Sequence, residues 1–221
     1  MSKHDEGRRA FLVSVAAGAV AGAVPNARAQ TQEGQATNAA AAAPIHAHAD
    51  NAGHGAFLND DDAAVVAAFA ERLMPGAPGK PGARDAGVLN YIDLALSGAY
   101  ADLQDFYRRG LAQLDAYCRN AHGAPFVKLG AARQDDVIAA LEQGKAPGFT
   151  WPSAQAFFNT VRTHTMEGLF ADPIYGGNRD FAGWRLVGFP GAQPLFTPED
   201  MRKGQAFMGA PIIGLQSQAK S

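Results

Sequence analysis

The chain has 221 residues, with 19 basic and 21 acidic groups and a formal charge of −2 at pH 7. That balance, with no basic run in the body of the chain, gives no charged surface for nucleic acid. The single cysteine, Cys118, excludes an internal disulfide and a c-type haem, which needs Cys-x-x-Cys-His.

The first residues read as an address. Arg8-Arg9-Ala10-Phe11-Leu12 precedes an apolar run of small residues ending at Val24, and Ala27-Arg28-Ala29 offers a small-x-small cleavage site. The paired Arg8 and Arg9 ahead of Phe11 and Leu12 indicate a twin-arginine export signal over residues 1–29. The apolar run, about 15 residues of mostly Ala, Val and Gly, is too short to span roughly 30 Å of hydrocarbon. Cleavage after Ala29 leaves 192 residues with 15 basic and 19 acidic groups. Export of an already folded chain would explain why a periplasmic protein lacks disulfides. Residues 30–56 are low in complexity and large apolar groups, so they predict a disordered linker. His46, His48 and His54 lie there without the carboxylate or thiol frame that a firm metal site needs.

From Phe57 the pattern becomes helical. Asn59 and Asp60-Asp61-Asp62 supply an N-cap and an acidic first turn for a helix carrying Val65, Val66, Phe69 and Leu73, stopped by Pro75-Gly76. Asp85 is the expected cap of a second helix, with Val88, Leu89, Ile92 and Leu96 on one face. A third runs from about Ala101 to Ala121 with Leu103, Tyr107, Leu111, Leu114 and Cys118 in register, and Gly123 ends it. Cys118 on that stripe reads as a small buried residue. Phe126 to Leu129 is expected to be extended. A fourth helix carries Val137, Ile138 and Leu141. The fifth has Pro152 in its first turn and Phe158, Val161, Thr165 and Leu169 along one side. A short sixth helix is expected from Thr197. No alternating run reaches strand length, so the fold class is all-α: one compact domain of five to six helices over residues 57–192, then a short helix and tail over 193–221.

The fifth helix leads into a stretch that punctuates differently. Between Ala171 and Ala192, glycines and prolines alternate with Tyr175, Phe181, Trp184 and Phe189, which predicts a fixed, irregular loop packed on a helix or on another protein. His164 and Glu167 stand three apart and can share a helix face, as an acid/base pair would require. Three roles are open to them: holding the loop through the backbone of Gly176-Gly177, touching a partner, or catalysis. Arg162, Asp172 and Arg179 complete the polar set. Asn178 and Arg179 are expected to tie loop carbonyls together, while Trp184 and Phe189 supply apolar area for the loop or for a partner. The loop lacks both Gly-x-Gly-x-x-Gly and Gly-x-x-x-x-Gly-Lys, so nucleotide binding is not indicated.

The runs His164-Thr165-Met166-Glu167-Gly168, Ala171 to Asp180 and Gly183 to Gly191 resemble the signature of the gluconate 2-dehydrogenase subunit 3 family, and the resemblance extends loosely back to Phe57. That family supplies the small subunits of bacterial membrane-bound, flavin-dependent dehydrogenases of sugars and sugar acids. The resemblance implies no cofactor in this chain, FAD in a large dehydrogenase subunit and haem c in a multi-haem cytochrome c subunit. It also implies that the small subunit exports and stabilises the large one. A scaffolding protein with another partner, or a free-standing enzyme using His164 and Glu167, are the competing readings.

Overall fold

The computed structural model describes residues 54–192, Pro198 and residues 212–215. All belong to one compact unit, residues 42–221; the other unit, 1–41, lies outside the described residues. Among the described residues six α-helices follow in order: α1 (Asp60–Leu73), α2 (Val88–Ser97), α3 (Gln104–His122), α4 (Ala131–Glu142), α5 (Ala154–Phe170) and α6 (Ala182–Val187). Short 3-10 turns link several of them, and among the described residues β-pairing is limited to two isolated bridges. The architecture is all-α, as the periodicity predicts.

Local chemistry explains most boundaries. Asn59, in extended conformation, accepts the Asp62 N–H at 2.9 Å, and three aspartates occupy the positive end of α1. Gly123 ends α3 at φ 76°, where its N–H reaches the Arg119 carbonyl. Ser153 caps α5 through the Ala156 N–H, which places Pro152 just outside the first turn.

Two expectations are corrected. Asp85 does not cap α2: its carboxylate accepts the Gly82 N–H at 2.9 Å and closes the preceding loop, while the chain enters α2 through Gly87 at φ 70°. Phe126 to Lys128 is a 3-10 turn instead of an extended segment. It winds because Phe126 turns inward against Phe69, and its carbonyl accepts from the buried Gln134 amide at 3.0 Å. Of the helix expected from Thr197 only Pro198 is described; the remainder lies outside the described residues.

The centre of the bundle is α5, which packs against α1, α2, α3, α4 and α6. The expected stripe Phe158, Val161, Thr165 and Leu169 is buried, and Phe157 adds a second buried side. The Phe157 ring meets Phe69 and Tyr107 edge-on at 6.2 Å each. Gly110 on α3 makes this approach possible, since a methyl group there would overlap the Phe157 ring.

Asp93 fixes the entry to the fold. It lies on the buried face of α2, 1% exposed, and its carboxylate accepts the N–H groups of Ala56, Phe57 and Leu58 at 2.7, 2.9 and 2.6 Å. Charge-assisted bonds of this kind are stronger than neutral ones, and removing the acceptor strands all three donors. Asp93→Ala is expected to cost about 3 kcal/mol of stability. A urea titration checks this, and a loss below about 1 kcal/mol would show that the clamp is dispensable.

Candidate functional site

His164 and Glu167 do share one side of α5, and three tyrosines meet them there. Tyr107 on α3 shares a hydrogen bond with His164 Nδ1 at 2.9 Å. The rings of Tyr100 and Tyr107 both lie parallel to the imidazole, at 4.6 and 5.7 Å between centroids. Tyr91 on α2 and Tyr100 both donate to Glu167 Oε2, at 3.0 and 3.2 Å. Both sequence-selected residues are therefore engaged by aromatic partners, and neither holds the backbone of Gly176-Gly177. That role falls to Asn90, whose amide donates to the Gly176 carbonyl at 2.7 Å. Arg162 is exposed.

The electrostatics keep the imidazole and the three phenols of this cluster neutral. Burial lowers the His164 pKa below the ordinary value, and the nearby Glu167 carboxylate offsets this only in part. Burial, with Glu167 adding to it, raises the phenol pKa values of Tyr91, Tyr100 and Tyr107. Tyr107 is fully buried, and its hydroxyl proton needs an acceptor; His164 Nδ1 provides it when the imidazole proton sits on Nε2. The arrangement locks α5 to α2 and α3 and leaves a neutral imidazole inside.

The glycine- and aromatic-rich stretch after α5 is more regular than the sequence predicts. Turns at Pro173–Tyr175 and Arg179–Phe181 lead into α6. Asn178 organises them. It is fully buried with φ 44°, its N–H donates to the Gly168 carbonyl at 2.7 Å, its amide donates to the Ala171 carbonyl at 2.8 Å, and its Oδ1 accepts the Gly183 N–H at 2.8 Å. Arg179 contributes its backbone, donating to the Ala86 carbonyl at 2.9 Å, while its guanidinium packs beside Gly87 without tying loop carbonyls. Asp172 caps the first turn through the Ile174 N–H and also accepts the Leu215 N–H at 2.8 Å. Beside it Ala192 donates to the Ile213 carbonyl at 2.6 Å, so residues 212–215 are pinned across the loop.

Trp184 is 7% exposed: its indole N–H donates to the Phe170 carbonyl at 2.6 Å, and the ring stacks on Phe181. Phe189 meets Trp184 edge-on at 5.0 Å but stays 42% exposed, and Tyr175 is 58% exposed. Trp184 thus supports the loop, while Tyr175 and Phe189 face outward, with Leu186 and Val187 beside them in sequence also exposed. Cys118 is buried and its thiol is pushed up to about 12, as suits an inert core position. Arg8, Arg9, Phe11, Leu12, Ala27, Ala29, His46 and His48 lie outside the described residues. Among the described residues no group of three His, Cys, Asp or Glu side chains could hold a metal ion, and no helix is long and apolar enough to cross a membrane.

The family model described as gluconate 2-dehydrogenase subunit 3 matches residues 60–191, from the start of α1 to the end of the signature loop. The chain belongs to the gluconate 2-dehydrogenase subunit 3 family. By that description it is a subunit of a dehydrogenase complex. No curated protein and no solved structure matches it.

Sequence reasoning on this family member missed Tyr91, Tyr100, Asn90 and Asp93. Tyr91 and Asp93 interrupt an otherwise apolar helix stripe, which was the available signal. His164 also sets an acid limit on stability. Its folded pKa lies below the unfolded value of about 6.5, so the unfolded chain binds the extra proton first. Stability is therefore full above that value and falls as pH drops below it, by no more than about 1.4 kcal/mol per pH unit from this group. His164→Asn, which offers an acceptor but does not titrate, should flatten the change between pH 7 and 5 in denaturant titrations. An unchanged slope would assign the acid sensitivity to other groups.

Proposed function

We propose that this chain is the small, non-flavin subunit of a periplasmic, membrane-associated oxidoreductase of the gluconate 2-dehydrogenase type. In this reading a large subunit carries FAD and the substrate site, and a multi-haem cytochrome c subunit takes the electrons. The small subunit binds and stabilises the large one, and its twin-arginine signal carries the folded pair out. A flavoprotein acquires its cofactor before export, so a shared signal on a folded partner is physically economical.

One observation supports this reading above the others: a loop whose shape is set by its own internal hydrogen bonds still leaves Tyr175 and Phe189 exposed, together with Leu186 and Val187. Apolar groups displayed on a rigid frame suit a protein partner. Catalysis by His164 is disfavoured because the imidazole is 4% exposed, stacked on Tyr100 and engaged at Nδ1 by Tyr107.

Co-expression with the large subunit tests the assignment. Phe189→Ser is expected to weaken association about thirtyfold, roughly 2 kcal/mol, while the small subunit alone keeps its melting temperature. Trp184→Ala should instead destabilise the small subunit itself by about 3 kcal/mol. Wild-type affinity in the Phe189 variant would place the partner elsewhere. Replacing Arg8 and Arg9 by Lys should keep both subunits in the cytoplasm. Normal periplasmic activity in that variant would remove the shared-export role.

A further inference from the structure

Glu167 is the carboxylate of the tyrosine cluster, and no cation among the described residues pairs with it. Ion pairs among the described residues join His54 to Asp60, Arg72 to Asp135, Arg109 to Asp105 and Arg119 to Asp115, all away from this carboxylate. Both phenol bonds, from Tyr91 and Tyr100, go to Oε2, so Oε1 has no hydrogen-bond donor among the described residues. The residue is half-buried, flanked by the Tyr91 and Tyr100 side chains that bind it. A carboxylate held partly out of water beside aromatic rings gains most from a cation that takes the free oxygen and lies against a ring face. One carboxylate without a second ligand does not suit a metal ion, and no three-ligand group exists among the described residues.

We propose that Glu167, with Tyr91 and Tyr100, is a receptor for a lysine or arginine side chain of the large dehydrogenase subunit. This rests on the proposed subunit role and adds the chemistry of one contact. Position supports it as well as charge. Asn90, the neighbour of Tyr91 on α2, holds the Gly176 carbonyl, and Gly176 follows the exposed Tyr175. The carboxylate and the outward-facing loop are thus tied to adjacent residues of one helix, and a partner covering Tyr175 could reach Glu167.

The test is the affinity of the purified subunits for each other across a range of salt concentrations. Glu167→Gln keeps a carbonyl that can accept both phenols and removes the charge. It is expected to weaken association about tenfold or more at low salt, with the gap narrowing as salt rises. In the same series Glu167→Lys should abolish binding, and a Lys→Glu or Arg→Glu change at one position of the large subunit should restore it. Equal affinities of wild type and Glu167→Gln at every salt concentration, with Phe189→Ser still weakened, would overturn the receptor and leave the subunit assignment standing. A Glu167→Lys chain that no charge reversal rescues would overturn it too. Failure of the wild-type pair to associate would overturn the subunit assignment and the receptor together.

Discussion

The signature region depends on Asn178 more than on any other residue. A buried side-chain amide must satisfy its hydrogen-bonding groups or lose free energy, and this one does so by bridging the end of α5 to the start of α6. The bridge works because the backbones it joins are nearly in contact. A methyl group on Gly177 would overlap the Gly168 carbonyl, and one on Gly183 would overlap the Leu169 carbonyl. The glycines bring the chain segments together, Asn178 in left-handed conformation bonds them, and Trp184 closes the space beside them. Tyr175, Leu186, Val187 and Phe189 remain exposed around this frame.

A second set of contacts fixes the platform beneath. Tyr91, Tyr100 and Tyr107 bring α2, α3 and α5 together through hydroxyl bonds to Glu167 and His164. Asn90 then transmits the position of α2 to the loop, and Arg179 returns the loop to the chain just before α2 through Ala86. The loop and the tyrosine cluster are therefore coupled through one short helix. The His164–Glu167 pair and the glycine-rich stretch are thus linked, although neither His164 nor Glu167 bonds the Gly176-Gly177 backbone.

Much of this was legible in the sequence. The helices were, because Val66, Phe69, Leu111, Leu114, Val161 and Leu169 recur at helical spacing and caps such as Asn59 and Gly123 have local chemistry. The cap of α2 was not, because Asp85 has two competing local uses and the better one, closing the turn at Gly82, depends on how the loop folds back. Phe126 read as extended, since a short apolar run carries no period. The site is half legible: His164, Glu167, Asn178 and Trp184 stand out as residue types, but the tyrosines that engage His164 and Glu167 lie more than fifty residues earlier in the chain. Trp184 and Phe189 looked equivalent in composition. Only packing separates a ring that donates to Phe170 from one that faces out.

The central claim is that this chain builds the shape of its signature loop by itself, before any partner arrives. Hydrogen–deuterium exchange on the free chain and on its complex with the large subunit tests it most directly. The account predicts that the amides of Asn178 and Gly183, bonded to the Gly168 carbonyl and the Asn178 side chain, are already protected in the free chain and change little on assembly. Rapid exchange at those two amides in the free chain, with protection appearing only in the complex, would contradict it.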